Sequence, residues 1–126
     1  MKNTLSLLTF ICIASIGFSQ KDSISENQFE LRGQIINEVA LTPHCGTIAW
    51  GIVVEFEIIK FSDPDYTRDS IPVVFTCPEF FEKDFFKVGQ TYSILVSDKN
   101  RAGFGWSIPN ESVLTQYELN KTLWVI

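Results

Sequence analysis

From Phe29 the chain alternates, with Phe29, Leu31, Gly33 and Ile35 interleaved with Glu30, Arg32 and Gln34. That two-residue period predicts a half-buried strand. Asn37-Glu38 and residues 41–46, which include Pro43, end it. A longer run follows. Ile48, Trp50, Ile52, Val54, Phe56 and Ile58 share one face, and Thr47, Ala49, Gly51, Val53, Glu55, Glu57 and Ile59 share the other. An unbroken strand of that length is about twice the ordinary one, so a bend is expected, with Gly51 as its place. Residues 62–69 are turn material. Ile71, Val73 and Phe75 then point inward from a third strand that stops at Cys77-Pro78, because proline lacks a ladder donor.

Residues 78–86 change period. Pro78 suits a first helical position, Glu79 complements the helix dipole, and the apolar residues at 81, 85 and 86 predict two turns of helix stopping near Gly89. Tyr92, Ile94 and Val96 mark a fourth strand within residues 91–97. Residues 98–110 are turn-rich, carrying Gly103, Gly105 and Pro109 around Phe104 and Trp106. Residues 111–116 fit neither period. A last strand is expected over residues 117–126, with Tyr117, Leu119, Leu123 and Val125 facing one way and Trp124 the other.

The amino-terminal stretch reads differently. Lys2, an apolar run over residues 5–18, and small residues at Gly17 and Ser19 form the pattern of a secretory signal peptide cut near Ser19/Gln20. The expected organisation is a signal peptide over 1–19, a flexible leader over 20–28 and one β-barrel domain over 29–126, giving a secreted or periplasmic protein. Cys12 raises a lipoprotein signal, but bulky Ile11 precedes it and the apolar run continues past it. The run is also shorter and more interrupted than the ~20 residues of a stable membrane span.

Cleavage changes the cysteine and charge arithmetic. Cys45 and Cys77 are the cysteines that remain, and an oxidising compartment lets them pair across about thirty residues, worth roughly 3–4 kcal/mol by loop entropy. Two separate thiols, or part of a metal site, is the rival reading. Losing Lys2 leaves nine basic residues against fifteen acidic, a net charge of −6 with histidine neutral. That field opposes nucleic acid, whose binding depends on neutralised phosphates.

The order is strand, long strand, strand, short helix, strand, strand. It resembles the OB-fold, a five-stranded Greek-key barrel with a short helix between strands three and four. Among small secreted members it resembles netrin-like and metalloproteinase-inhibitor-like domains, partly through Phe85-Phe86-Lys87-Val88-Gly89-Gln90-Thr91-Tyr92 leading into strand four. The resemblance implies a mainly β barrel joined by disulfides. It stops short of the inhibitors' amino-terminal cysteine clamp, because Gln20 would come first and the chain has one cysteine pair. An immunoglobulin-like sandwich, the alternative fold, requires about seven strands.

No sequence pattern recommends a catalytic, cofactor or metal set. His44 precedes Cys45, which suggests a thiol nucleophile only if the cysteine is unpaired. His44, Cys45 and Cys77 match no closed zinc spacing. Asp63, Asp65 and Asp69 offer oxygen ligands but lack the twelve-residue calcium-loop pattern. Glu55 and Glu57 share a strand face at a separation compatible with paired carboxylates in sugar hydrolysis. Asn110-Glu111-Ser112 and Asn120-Lys121-Thr122 match glycosylation acceptors. The expected contact residues are aromatic: Phe80, Phe104, Trp106 and Trp124. The leading expectation is a noncatalytic binding or structural domain that engages a protein partner; an oligosaccharide-binding domain and a small hydrolase are the alternatives.

Overall fold

The computed structural model describes residues 26–126; the expected signal peptide, and the leader up to residue 25, lie outside the described residues. Five strands close a barrel: β1 (Gln28–Ile35), β2 (Gly51–Phe61), β3 (Ser70–Thr76), β4 (Thr91–Ser97) and β5 (Trp124–Val125), in the order β1-β2-β3-β5-β4. All neighbours are antiparallel except β3 and β5, which run parallel. This mixed, closed five-stranded barrel has an OB-fold-like topology.

The alternation read from the chain fills the interior. Leu31 and Ile35 from β1, Ile52, Val54 and Phe56 from β2, and Ile71, Val73 and Phe75 from β3 meet Val96, Leu123 and Phe86 in one core. The bend in the long strand is not at Gly51. The β1–β2 register shifts between Arg32 and Gly33, where Lys60 faces Arg32 and Ile58 faces Gly33, so Ile59 is the extra, outward residue of a bulge. Gly33 is required there, because a Cβ at this position would lie 2.9 Å from both the Glu57 carbonyl oxygen and the Phe56 Cβ.

The start of β2 is corrected as well. The β2 strand begins at Gly51; Ile48 is exposed, and Trp50 forms an isolated parallel bridge with Ser107 while its carbonyl accepts the Cys77 N–H. The residues before β2 are tied elsewhere: Cys45 is joined to Cys77 with their Cα atoms 5.5 Å apart, and the Trp50 N–H points at the Cys45 sulfur. Cys77 itself adopts the left-handed conformation (φ 46°), which turns the chain out of β3.

A short helix does sit between β3 and β4, but as one 3-10 turn over Pro78–Phe80 in place of two α-turns. The chain after it turns again, with the Phe85 N–H bonded to the Glu82 carbonyl. Packing explains the shortening. Phe81, Phe85 and Phe86 all close on Phe75, with ring centroids at 5.2, 5.8 and 5.3 Å, directions that no single helical face supplies. Phe85 also stacks on Tyr92 at 4.0 Å.

The largest departure follows β4. Residues 112–117 form a helix, α1 (Ser112–Tyr117), and β5 is only two residues long, so the expected ten-residue terminal strand is absent. Glu118, in the left-handed region at φ 49°, ends the helix. Tyr117 packs outside the barrel against β3 while Leu123 enters the core. Val53, on the other face of β2, and Val74 opposite it are buried as well.

Candidate binding cleft

The connection from β4 to β5 carries most of the aromatic candidates, and polar side chains hold its shape. Asn100 is the organiser. Its Oδ1 accepts from the Trp106 indole N–H at 3.1 Å and from the Ala102 N–H at 3.2 Å, while its Nδ2 donates to the Phe104 carbonyl at 2.7 Å. Gly103, at φ 74°, supplies the left-handed turn between them. Beyond Trp106, Ser107 is bonded in both directions to the entry into β2: its N–H to the Ala49 carbonyl, and its carbonyl to the Gly51 N–H. Arg101 pins the other side through Nε to Glu26 Oε1 at 2.6 Å. With that guanidinium and the Ser97 hydroxyl both donating to it, the Glu26 carboxyl is held down at about 2.

This scaffold brings three of the four expected contact residues together. Phe104 and Trp106 are tilted ring to ring at 5.0 Å, and Phe104 is 53% exposed. Trp106 and Trp124 line one cleft of about 320 Å3 with Thr76, Lys99, Asn100 and Arg101. Trp124 reaches it because parallel β3–β5 pairing sets it beside Val74 while Leu123 turns inward. Phe80 is placed apart: it stands on the 3-10 turn, 81% exposed, outside the lining of this cleft. The side-chain inventory pointed to the loop, but the share of Asn100 in shaping it carried no sequence signal beyond its turn propensity.

The remaining candidates are engaged elsewhere. Glu55 accepts a 2.9 Å hydrogen bond from the Tyr117 hydroxyl, which also contacts the Ser70 hydroxyl at 3.0 Å, and Tyr66 bonds the Ser70 carbonyl. This chain fastens α1 and the β2–β3 turn to the barrel. Burial there raises the Tyr117 hydroxyl and pushes Tyr66 up to about 12. Glu57 is exposed and His44 lines a different cleft, beside Glu79. Glu55, Glu57 and His44 therefore do not line a common cleft.

The acidic turn has a structural occupant. Asp63, buried at 7% exposure, pairs with Lys121 at 2.6 Å and accepts from the Asp65 N–H, so the Lys121 ammonium and the Asp65 backbone hold the carboxyl below the usual range. Lys121 also lies 4.4 Å above the Phe29 ring. Asn110 is likewise committed: its Oδ1 accepts from the Val53 N–H at 2.9 Å, and its Nδ2 donates to the Val53 carbonyl at 2.8 Å. It stands in for a neighbouring strand along β2, whereas Asn120, in the second glycosylation pattern, is exposed on a turn.

A larger groove of about 470 Å3 crosses the outside of β4, β1 and β2 past Ser93, Arg32 and Lys60. It lacks an aromatic wall. Among the described residues, no helix is long and apolar enough to cross a membrane. No family model, curated protein or solved structure matches the chain at a significant level.

Proposed function

We propose that the protein is an exported, noncatalytic recognition domain that engages a protein partner through the loop over residues 98–107 and the outer side of β5. The observation that carries this reading is that Trp106, on a loop preorganised by Asn100, packs beside Phe104 and shares a cleft with Trp124 of β5. Half-exposed aromatic rings on a rigid frame are effective interface anchors, because little side-chain entropy is lost on contact. The amino-terminal pattern supports export. The likeness to netrin-like and metalloproteinase-inhibitor-like domains in element order supports partner binding.

Affinity capture from an extracellular or periplasmic fraction tests it, with the wild type and Trp106→Ala as parallel baits. A partner held by the wild type and lost by the variant, at nearly unchanged melting temperature, is the expected result. Equal capture by both baits defeats the reading. A collapse in stability of Trp106→Ala would assign the ring to the core.

An oligosaccharide is the second reading, favoured by one feature: the cleft between the two indoles also presents Thr76, Lys99 and Arg101, groups able to bond hydroxyls beside stacking faces. Saturation-transfer NMR with neutral and acidic oligosaccharides separates the two, since a glycan ligand would contact both indole rings.

A further inference from the structure

We propose that reduction of the Cys45–Cys77 bridge opens a binding site for a borderline-soft divalent cation such as Zn2+, built from the two sulfurs and the Glu79 carboxylate. The ligand atoms of these three residues lie within 4.8 Å of one another. They arrive from two directions: Cys45 from the connection between β1 and β2, Cys77 and Glu79 from the end of β3 and the 3-10 turn after it.

Glu79 is oriented for such a role. Its Oε1 accepts the Cys45 N–H at 2.6 Å, which fixes the carboxylate against the sulfurs. Its Oε2 is buried and has no hydrogen-bond partner among the described residues. An unpaired buried acceptor is destabilising, and a cation at the sulfurs would relieve it. Thiolate and carboxylate are both zinc donors, and their combined charge of three minus suits a dication. Three protein donors leave one position open. Glu79 also lines a cleft of about 280 Å3, through which water can take that position.

While the sulfurs are bridged, neither is a thiolate and the site is closed. A dithiol reductant supplies two electrons and two protons; the S–S bond breaks, two thiols form, and the reductant becomes a disulfide. The cation then displaces the two thiol protons. The same two chain segments stay tied in both states, by a covalent bond in one and by a metal in the other.

The test uses the full chain, oxidised or reduced with a phosphine that is then removed under anaerobic conditions. Zn2+ is titrated while melting temperature is followed, and Co2+ is used as the spectroscopic probe. Expected are one cation per reduced chain, thiolate-to-cobalt charge-transfer absorption, and a rise in melting temperature that the oxidised protein does not share. Glu79→Gln should weaken binding by about tenfold or more, and Cys45→Ser with Cys77→Ser should abolish it. If reduction alone unfolds the chain, added Zn2+ must restore its circular dichroism, because binding and folding are then coupled. Failure to bind or to refold overturns the proposal, as does equal binding by the oxidised protein or by Glu79→Gln. None of these readouts involves the aromatic cleft.

Discussion

Two aromatic clusters of this small domain both lie in connections between strands and meet opposite structural fates. Phe81, Phe85 and Phe86 follow a proline-initiated turn and plug the barrel against Phe75; Phe104 and Trp106 sit in a glycine-rich loop and remain at the surface. The plug is held by ring-on-ring contact with a cavity to fill. The loop is held by amide and carboxylate hydrogen bonds from Asn100 and Glu26, which keep the rings in place without burying them. Aromatic density alone does not separate core from contact surface; the kind of group that fixes the rings does.

The contrast breaks most sharply in the plug. Phe75→Ala should cost about 3–5 kcal/mol in chemical denaturation, since it removes the ring that the three others close upon. A cost below about 1 kcal/mol would mean that the plug does not seal the barrel.

Next is the partly buried ion pair of Asp63 and Lys121, where Lys121→Met should cost about 2 kcal/mol by leaving Asp63 unpaired. The sign with pH follows from the lowered Asp63 value. Its stabilisation is complete above the unfolded carboxylate pKa near 4 and is lost as pH falls through the lower folded value. Acid denaturation followed by circular dichroism should therefore show a wild-type slope below about pH 4 that Lys121→Met flattens or reverses.

Asn100→Ala sharpens the comparison from the loop side. Three hydrogen bonds are lost, yet the loop is largely exposed, so about 1 kcal/mol is expected. The diagnostic readout is a red shift and increased mobility of Trp106 fluorescence, read in a Trp50→Phe, Trp124→Phe background. Trp106→Ala should have the smallest effect on folding, below roughly 1 kcal/mol, and the largest on ligand capture.

The strands were legible because a barrel wall imposes a two-residue period that Leu31, Ile52, Val54, Ile71, Val73 and Phe75 keep. The cysteine pair was legible from its number once the leader is set aside. Residues 111–126 were not, because Tyr117, Leu119, Leu123 and Val125 obey even spacing, while Val113, Leu114 and Tyr117 equally fit one face of a helix. Local pattern cannot choose between these; packing against the outer side of β3, where Tyr117 becomes buried, selects the helix.

Alternation along the chain thus settled which side chains face the barrel interior, since each strand's pleat is a local property of the backbone. Where the strands bend, and which distant side chains become neighbours, depended on closure. The bulge at Ile59 arises from how β1 crosses β2 at Gly33, and Trp106 shares a cleft with Trp124 because β5 returns parallel to β3. Those contacts join residues far apart in sequence, and no short-range periodicity encodes them.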